Sequence, residues 1–400
     1  MTSLKLSKPY SISDHLFHLF LLIIGLSVGI VSTLCLTSFS FTIPSSLSFY
    51  IPPSIISQPS SISPAPPPPP SKPVLQIIPV ISNGTVNVDV SLMKNNNQTL
   101  GLMHNMSDDE LLSKASTVQD ESNNNVSNYK VAFMFLTPGR LPLAPFWDRF
   151  FKGYEGNYSI YVHPHPSYNE SVPQDSAFYA RRIPSQPVYW GTISMIDAER
   201  RLLANALLDP SNQKFVLLSD SCIPVFNFTT VYNHLMGTNL SSLQIFDDPR
   251  KPGRGRYNRR MWPEVTIEQW RKGSQWFEIH RDLAVKIVSD KKYYKLFSEF
   301  CLPPCYNDEH YLPTLVNILF PERNSNRTLT WVDWSRGGPH PRKFGWIDVK
   351  VEILNHIRFE YECEYNGNTT NMCHLFARKF LPNTLGPLLK VAPRLLGFDP

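Results

Sequence analysis

The chain has 400 residues, of which 42% are apolar and 12% aromatic, so it can bury a sizeable hydrophobic core and is not disordered throughout. The net charge of +5 is modest and excludes a strongly basic, nucleic-acid-binding class of protein. The roughly 270 residues from Lys130 onwards suffice for one large α/β domain or for two small domains.

An uncharged apolar run covers residues 16–36. As a helix, this run would extend over roughly 31 Å, which matches the apolar thickness of a bilayer. Lys5 and Lys8 precede it, so the positive-inside rule places the N-terminus in the cytosol and the rest of the chain in the secretory lumen. We therefore expect a membrane signal anchor with a cytosolic tail at residues 1–15. A cleaved signal peptide is the alternative, although its apolar region would span only about 7–15 residues.

A long polar stretch follows the apolar run. Residues 44–73 contain eleven prolines, five of them consecutive at 66–70, and an Asn- and Ser-rich tract continues to about residue 127. The prolines favour extended polyproline geometry, and the polar tract has too few apolar side chains to form a core. We expect residues 37–129 to be a disordered luminal stem. A Pro-rich ligand for another protein is the alternative interpretation.

Cysteines and N-glycosylation sequons agree with a luminal location. Of six cysteines, Cys35 lies in the apolar run and five follow it, so one luminal thiol stays free or pairs with a second copy of the chain in a homodimer. The local pairs are Cys301 with Cys305 and Cys363 with Cys373. N-x-S/T sequons occur at ten positions, namely Asn83, Asn97, Asn105, Asn125, Asn157, Asn169, Asn227, Asn239, Asn326 and Asn368.

From Lys130 the sequence changes to short apolar runs that end in polar turns. Strands are predicted over residues 131–137, 158–162, 215–218 and 243–246, and helices from Ser194, with Asp197 completing a capping box, and over 281–297. Strands that alternate with helices indicate an α/β domain with a mainly parallel central sheet, over residues 130–400. Ligands bind beyond the carboxyl ends of such strands, so the turns after Thr137, Val162 and Leu218 should line the binding crevice.

The segment Asn-Asp-Glu-His-Tyr at residues 307–311 places acidic side chains at a predicted helix start. One interpretation is structural, with Asp308 capping free backbone N–H groups and Glu309 stabilised by the helix dipole. The other is catalytic, with Glu309 directed into the crevice as a general base. The residues by themselves leave both interpretations open.

Cations and aromatic residues crowd the stretch before that segment. Six Lys and Arg side chains lie within residues 250–260, which suits a solvated loop or contact with an anionic donor or a glycan. Arg256 and Tyr257 in this stretch are suited to hydrogen-bonding sugar hydroxyls. Three tryptophans follow, including Trp276. Tryptophan faces stack on sugar rings, but most tryptophans in a domain belong to its core.

Further candidates lie towards the C-terminus. Asp333 and Trp334 belong to a short alternating stretch, whereas Arg358 and Lys379 are cations in apolar surroundings. Such cations are often helix ends that reach solvent, but a pair of them could hold a diphosphate. No Asp-x-Asp motif follows the stem. Carboxylates spaced in this way hold a divalent metal in many nucleotide-sugar enzymes, so we expect no metal cofactor and a diphosphate neutralised by Arg or Lys.

Four segments in order resemble the plant branch of the core-2/I-branching β-1,6-N-acetylglucosaminyltransferase family. They are residues 253–258 (Gly-Arg-Gly-Arg-Tyr-Asn), 270–277 (Trp-Arg-Lys-Gly-Ser-Gln-Trp-Phe), 305–314 (Cys-Tyr-Asn-Asp-Glu-His-Tyr-Leu-Pro-Thr) and 374–380 (His-Leu-Phe-Ala-Arg-Lys-Phe). The resemblance extends over residues 130–389. It implies a type II Golgi enzyme with a GT-A-like fold, inverting stereochemistry and no metal requirement.

The resemblance also assigns roles to individual residues. The family's catalytic glutamate matches Glu309, its diphosphate-binding lysine matches Lys379, and its companion arginine best matches Arg358. The implied donor is a nucleotide sugar, UDP-GlcNAc, and the implied acceptor is a glycan or glycoprotein. The second strand departs from the pattern, since it ends in Tyr161-Val-His163 where the family has His-Val-Asp.

We therefore expect an inverting, metal-independent glycosyltransferase in the Golgi membrane, held by one helix with its catalytic domain in the lumen. Candidates for acceptor or sugar binding are Arg256, Tyr257, Trp276, Asp333 and Trp334. A non-catalytic glycan-binding or assembly module on the same fold is the main alternative. A glycoside hydrolase would need two opposed carboxylates, for which only Asp333 is available to partner Glu309.

Overall fold

The computed structural model describes residues 102–118 and 128–398. The predicted membrane anchor and most of the predicted stem lie outside these ranges. Within the two ranges, none of the helices combines the length and the apolar character needed to span a bilayer.

The described residues contain short strands grouped into three sheets. The strands are β1 (Lys130–Leu136), β2 (Tyr158–His163), β3 (Asn212–Ser219), β4 (Ile223–Pro224), β5 (Glu278–His280), β6 (Thr330–Val332), β7 (Cys363–Tyr365), β8 (Asn368–Thr370) and β9 (Phe376–Arg378). The central sheet has the order β2-β1-β3-β5, in which β1 is parallel to β2 and β3 while β5 is antiparallel to β3. A smaller sheet has the order β4-β9-β6, and β7 with β8 forms a separate antiparallel pair.

Helices cover both faces of the central sheet. The α-helices are α1 (Asp108–Thr117), α2 (Ala144–Phe151), α3 (Ile193–Leu207), α4 (Phe228–Met236), α5 (Arg281–Ser289), α6 (Lys292–Phe300), α7 (Asn307–Leu319), α8 (Val351–Phe359) and α9 (Leu385–Val391). The mixed α/β architecture with a mainly parallel sheet agrees with the prediction from the sequence.

Strand β1 shows why the sheet is flanked by two cores. Phe133 and Phe135 face the core formed with the aromatic side chains of α2, whereas Met134 and Leu136 face the core formed with α3. Because both faces of the strand are buried, its sequence is a continuous apolar run rather than an alternating one. The same burial on both faces extends through β3, all of whose residues are buried.

Two predicted elements differ from the observed ones. The predicted strand at 243–246 forms only isolated bridges, because the side-chain oxygens of Asn324 and Asn326 accept hydrogen bonds from the backbone N–H groups of Leu243 and Ile245. The predicted helix at 281–297 is two helices, α5 and α6. They are separated at Asp290, whose carboxylate accepts from the N–H groups of the first turn of α6.

The predicted capping box at the start of α3 is also absent. Helix α3 has Thr192 as its N-cap without a side-chain cap bond, and the Ser194 hydroxyl accepts instead from the backbone N–H of Tyr189 at 2.8 Å. Asp197 accepts a hydrogen bond from the Tyr294 hydroxyl at 2.6 Å. Hydrogen bonds to the preceding loop and to α6 therefore engage the two side chains that the capping box would have paired.

Helix α1 contradicts the expectation that all of residues 37–129 form a disordered stem. Ser107 and Glu110 form a reciprocal capping box at its start, and Leu111 and Ala115 are buried in the core with α3 and α5. Asp108 forms an ion pair with Arg201 of α3. Residues 107–117 therefore belong to the folded domain, because their apolar face is completed by the two helices on which it packs.

Both local disulfides are formed as predicted. Cys301 is bonded to Cys305 and Cys363 to Cys373, and Cys222 is the free cysteine of the described residues. Cys222 is fully buried, so its thiol is not at the surface for bonding to a second chain. A homodimer, if formed, would not use this residue.

Candidate active site

A cavity of about 850 Å³ opens beyond the carboxyl ends of the central strands. Thr137, His163 and Ser219, which end or directly follow β1, β2 and β3, line it together with Glu309, Lys379 and several aromatic residues. This location agrees with the crevice predicted from the three polar turns. The strands are fixed by burial, so these turns are held in a rigid arrangement.

Glu309 lies in the first turn of α7 and is held there by several backbone constraints. The Cys301–Cys305 disulfide precedes the helix, and Tyr306 adopts a positive φ of 57° as the chain turns into it. The backbone N–H of Gly273 donates to the Glu309 carbonyl at 2.9 Å. A Cβ on Gly273 would lie 1.9 Å from the Gln244 carbonyl oxygen, so only glycine permits this close approach.

Two cations pair with the Glu309 carboxylate. Oε2 of Glu309 accepts from Nη1 of Arg256 at 2.6 Å and also pairs with Nζ of Lys272. Burial favours a higher pKa for Glu309, but the charges of Lys272 and Arg256 outweigh burial and hold the pKa below its ordinary value. Glu309 is therefore an ionised carboxylate, able to accept a proton, throughout the neutral and mildly acidic range.

The neighbours of Glu309 in α7 have the opposite character. Asp308 is buried, and burial together with the adjacent charge of Glu309 raises its pKa to about 6. Burial lowers the pKa of His310 to about 4, and its Nδ1 is bonded to the Arg271 carbonyl at 2.8 Å. Behind Asp308, burial raises the pKa of Glu199 well above its ordinary value. Glu309 is thus the ionised member of a partly protonated acidic cluster.

Lys379 and Arg378 form a cationic wall of the cavity. Both line it, and Arg378 is the last residue of β9. The guanidinium of Arg378 lies 3.9 Å from the centroid of the Trp276 ring. Burial, with Arg378 next to it, lowers the pKa of Lys379. The turn after β3 is bonded to this segment, since the N–H of Phe380 donates to the Ser221 carbonyl at 2.9 Å.

Arg358 does not line the cavity, in contrast to its predicted role beside Lys379. Its guanidinium packs on the rings of Phe226 and Phe359, and Nη1 donates to the Leu395 carbonyl at 3.1 Å. These contacts anchor helix α8 to the C-terminal segment. The arginine that accompanies Lys379 at the cavity is Arg378, which lies in the quoted segment 374–380 but was not selected from the sequence.

The five acceptor-site candidates divide into two groups. Trp276 and Trp334 line the cavity, and Arg256 contacts Glu309 as described above. Tyr257 does not line it, because its hydroxyl donates to the Val265 carbonyl at 2.6 Å and its ring packs on Trp270. Asp333 is likewise outside the lining, paired with Arg342 at 3.6 Å.

The sequence predicts that the turn containing His163 lines the crevice, as observed, but it does not identify Lys272 or the contacts behind His163. Lys272 belongs to the quoted segment 270–277, and its ion pair with Glu309 joins residues far apart in sequence. His163 is fully buried, and its Nε2 accepts from Nη1 of Arg201 at 3.0 Å. Arg201 also donates from Nε to Asp108 at 2.7 Å, so helix α1 is connected to the cavity wall.

The described sequons differ in accessibility. Asn227 is half-buried and caps α4 through Oδ1, which accepts from the Thr230 N–H at 2.9 Å, so a glycan on its Nδ2 would have to fit into a partly buried site. The exposed sequon residues are Asn105, Asn169, Asn239, Asn326 and Asn368, and Asn157 is half-buried. Asn83, Asn97 and Asn125 lie outside the described residues.

Positive groups are the binding groups that this cavity offers to a phosphate. In the part of the chain that the structure describes, no three His, Cys, Asp or Glu side chains form a group able to hold a metal ion. Lys379 and Arg378 are suited to a diphosphate. Glu309 places an ionised carboxylate in the same cavity, and a base together with phosphate-binding cations is what transfer from a nucleotide sugar requires.

Comparison with known proteins gives the same indication. The family model for core-2/I-branching enzymes matches residues 131–358. The chain is 36% identical over 299 residues to "Glycosyltransferase BC10" of Oryza sativa subsp. japonica. The aligned region covers 63% of this chain and 74% of the relative. The match includes the strands that end at the cavity and the helix that carries Glu309. The chain is therefore a glycosyltransferase that belongs to the core-2/I-branching enzyme family.

Proposed function

We propose that the chain transfers GlcNAc from UDP-GlcNAc to a hydroxyl of a glycan or glycoprotein, forming a β-1,6 branch with inversion. The supporting observation is that one cavity holds an ionised glutamate and a separate pair of cations. A GT-A-like arrangement is supported by the parallel strands, whose carboxyl ends form the cavity. The resemblance of the four sequence segments supports the donor and the linkage.

In the proposed reaction, Glu309 removes the proton from the acceptor hydroxyl as its oxygen attacks the anomeric carbon. The bond from that carbon to the diphosphate oxygen breaks, and the bonding electrons leave with the diphosphate. A positioned general base typically contributes about 10²–10⁴-fold. Because Oε2 of Glu309 already pairs with Lys272 and Arg256, the approaching hydroxyl must share the carboxylate with these cations.

Lys379 and Arg378 would stabilise the charge that develops on the leaving diphosphate. Both are half-buried, and burial lowers the pKa of each, which indicates a site that is partly shielded from water. Fixed charges act more strongly in such surroundings than in bulk solvent. These two cations and the absence of an Asp-x-Asp motif support a metal-independent reaction.

The cellular setting is part of the same proposal. The apolar run at residues 16–36, the preceding lysines and the sequons support a type II Golgi membrane protein with its catalytic domain in the lumen. The two disulfides also suit an oxidising compartment. Localisation of a C-terminal tag on the cytosolic side of the membrane would contradict this topology.

The alternatives receive less support from the geometry. A glycoside hydrolase needs a second carboxylate across the substrate from Glu309, and Asp333 does not line the cavity. A non-catalytic glycan-binding module would not need an ionised base beside a cationic wall. It remains the outcome to accept if no donor is turned over.

Nucleotide release tests the proposal directly. A secreted fragment of residues 102–400 is incubated with UDP- and GDP-sugars and a panel of glycosides, with and without EDTA. We expect UDP release that persists in EDTA and falls by about 10²-fold or more in Glu309→Gln. Loss of all activity in EDTA would show that a metal is required, and an unimpaired Glu309→Gln would remove Glu309 as the base.

A pair of variants distinguishes the two arginines. Arg378→Ala should raise the KM for the donor more than Arg358→Ala does, because only Arg378 lines the cavity. Each variant is compared after its thermal stability has been measured, since Arg358 has packing contacts of its own. The opposite order would restore Arg358 as the diphosphate-binding partner.

A further inference from the structure

The cavity mouth carries an exposed aromatic residue to which the proposed chemistry assigns no role. Trp190 lines the cavity, yet its side chain is 60% exposed. Its ring lies 4.7 Å from the ring of Tyr306 and 5.9 Å from that of His340. These residues come from three separate segments, the loop after β2, the start of α7 and the loop after β6. A large apolar ring that lines a cavity and is mostly exposed offers its face to a ligand rather than to the core.

Trp190 is connected to the proposed base by direct contacts. The guanidinium of Arg256 lies 4.3 Å from the centroid of the Tyr306 ring, and Arg256 pairs with Glu309 at 2.6 Å. A ligand on Trp190 would therefore lie on the side of the cavity where Glu309 acts. Because a general base must reach the acceptor hydroxyl, this side belongs to the acceptor.

The loop that carries Trp190 is fitted closely against Tyr306. Gly191 has a positive φ of 75°, and a Cβ at this position would lie 2.6 Å from Cδ1 of Tyr306. The backbone after Trp190 therefore depends on glycine to turn and to approach the ring. The hydroxyl of Thr192 donates to the Tyr189 carbonyl at 2.9 Å and closes the same turn. These contacts hold Trp190 in position before any ligand binds.

We propose that Trp190 is the stacking platform for the acceptor, which presents a pyranose ring with a continuous C–H face. This inference rests on the proposed function and adds the class of ring that the acceptor offers next to its reactive hydroxyl. The indole face is apolar and carries partial negative charge, which suits the polarised C–H bonds of a sugar. A β-galactoside has such a face, because its axial hydroxyl leaves C–H bonds grouped on the other side of the ring.

The test separates acceptor binding from donor binding. Trp190→Ala, Trp190→Phe and the matched control Trp346→Ala are prepared in the fragment of residues 102–400; Trp346 is 63% exposed and does not line the cavity. UDP release from UDP-GlcNAc is measured without acceptor and with methyl β-D-galactopyranoside. Saturation-transfer NMR with the same galactoside records which sugar protons contact the protein, independently of turnover.

We expect Trp190→Ala to raise the KM for the galactoside about tenfold or more, the size of effect that loss of one stacking ring produces. The donor KM in acceptor-free release should not change, Trp190→Phe should be intermediate, and Trp346→Ala should equal the wild type. In NMR, saturation should concentrate on the C–H face of the galactoside and disappear in Trp190→Ala.

Other results would overturn the inference. A higher donor KM with an unchanged galactoside KM would place the donor on Trp190. If Trp190→Ala and Trp346→Ala raise the galactoside KM equally, or if neither raises it, Trp190 does not bind the acceptor ring. If the wild type releases no UDP from any donor, the proposed function fails, and the NMR comparison still decides whether Trp190 binds the sugar ring.

Discussion

Replacing Leu111 by alanine should destabilise the whole domain, although residue 111 lies in the segment that composition assigns to a disordered stem. The Leu111 side chain is only 1% exposed and belongs to the core shared with α3 and α5. Truncation of a buried leucine to alanine typically costs about 2–5 kcal/mol. We expect about 3 kcal/mol here, which lowers the Tm of a domain of this size by about 6–12 °C.

Leu112→Ala is the matched control for this substitution. Leu112 is the next residue of the same helix and is only half-buried, so the same truncation should cost about 1 kcal/mol or less. Both variants are made in the fragment of residues 102–400 and compared by thermal and urea unfolding. Equal Tm values for Leu111→Ala and Leu112→Ala would refute the packing of α1 on the domain.

A shorter fragment tests the same helix more severely. A fragment of residues 130–400 lacks Leu111, Ala115 and the carboxylate that pairs with Arg201. The Asp108 side chain is 51% exposed, so the ion pair contributes only about 1 kcal/mol, and most of the loss comes from the apolar face. Loss of α1 should therefore cost more than about 4 kcal/mol in free energy of unfolding. Typical domains are stable by only about 5–15 kcal/mol, so this loss is a large part of the total. Equal stability of the two fragments would show that α1 is dispensable.

Three further predictions concern the cavity. Lys272→Met should raise the pKa of Glu309, because it removes a positive charge that holds this pKa down. The acid limb of the plot of kcat/KM against pH should therefore move to higher pH. A plot with lower values but an unshifted acid limb would contradict this prediction. In the folded protein Asp308 has a pKa of about 6, compared with an ordinary value of 3.8, so the native state binds this proton more tightly than the unfolded state does. The contribution of Asp308 to the free energy of unfolding therefore falls as the pH rises from about 3.8 to about 6. Asp308→Asn should therefore gain free energy of unfolding relative to the wild type between pH 4 and pH 6, by about 2 kcal/mol in urea unfolding at each pH, and a gain independent of pH would refute the assignment. Gly273→Ala should lower the free energy of unfolding by about 1–3 kcal/mol and reduce UDP release. Gly386→Ala is the control: a Cβ there meets open space in α9, so this substitution should stabilise the domain slightly. Similar effects of the two substitutions would contradict the close approach at Gly273.

The central sheet and the local disulfides were predictable because their signals are short-range. The run at 131–136 is apolar at every position, as a strand buried on both faces requires, and Cys301 lies close to Cys305 in sequence. The pairing of Glu309 with Lys272 could not be predicted in the same way, since it depends on how the bridge between Phe246 and Lys272 places a distant segment against α7. Periodicity contains no information about such contacts.

Two misassignments have specific physical causes. Helix α1 has a detectable capping box at Ser107 and Glu110, but only two of its residues are buried. The helix was not predicted because its sequence is nearly as polar as the Asn- and Ser-rich tract around it. Arg358 and Arg378 both lie among apolar residues, and only the tertiary contact with Trp276 shows which one faces the cavity. A charged side chain near aromatic rings is equally consistent with packing and with ligand binding until the fold is known.

The cationic wall of Arg378 and Lys379 has a consequence for the end of the catalytic cycle. In the proposed reaction, the released nucleoside diphosphate carries one more negative charge than it had within the donor, and it lies against the same two cations. The product should therefore be held more tightly than the substrate. Under the proposed function, accumulated UDP would inhibit turnover, so sustained activity would depend on removal of the released nucleotide.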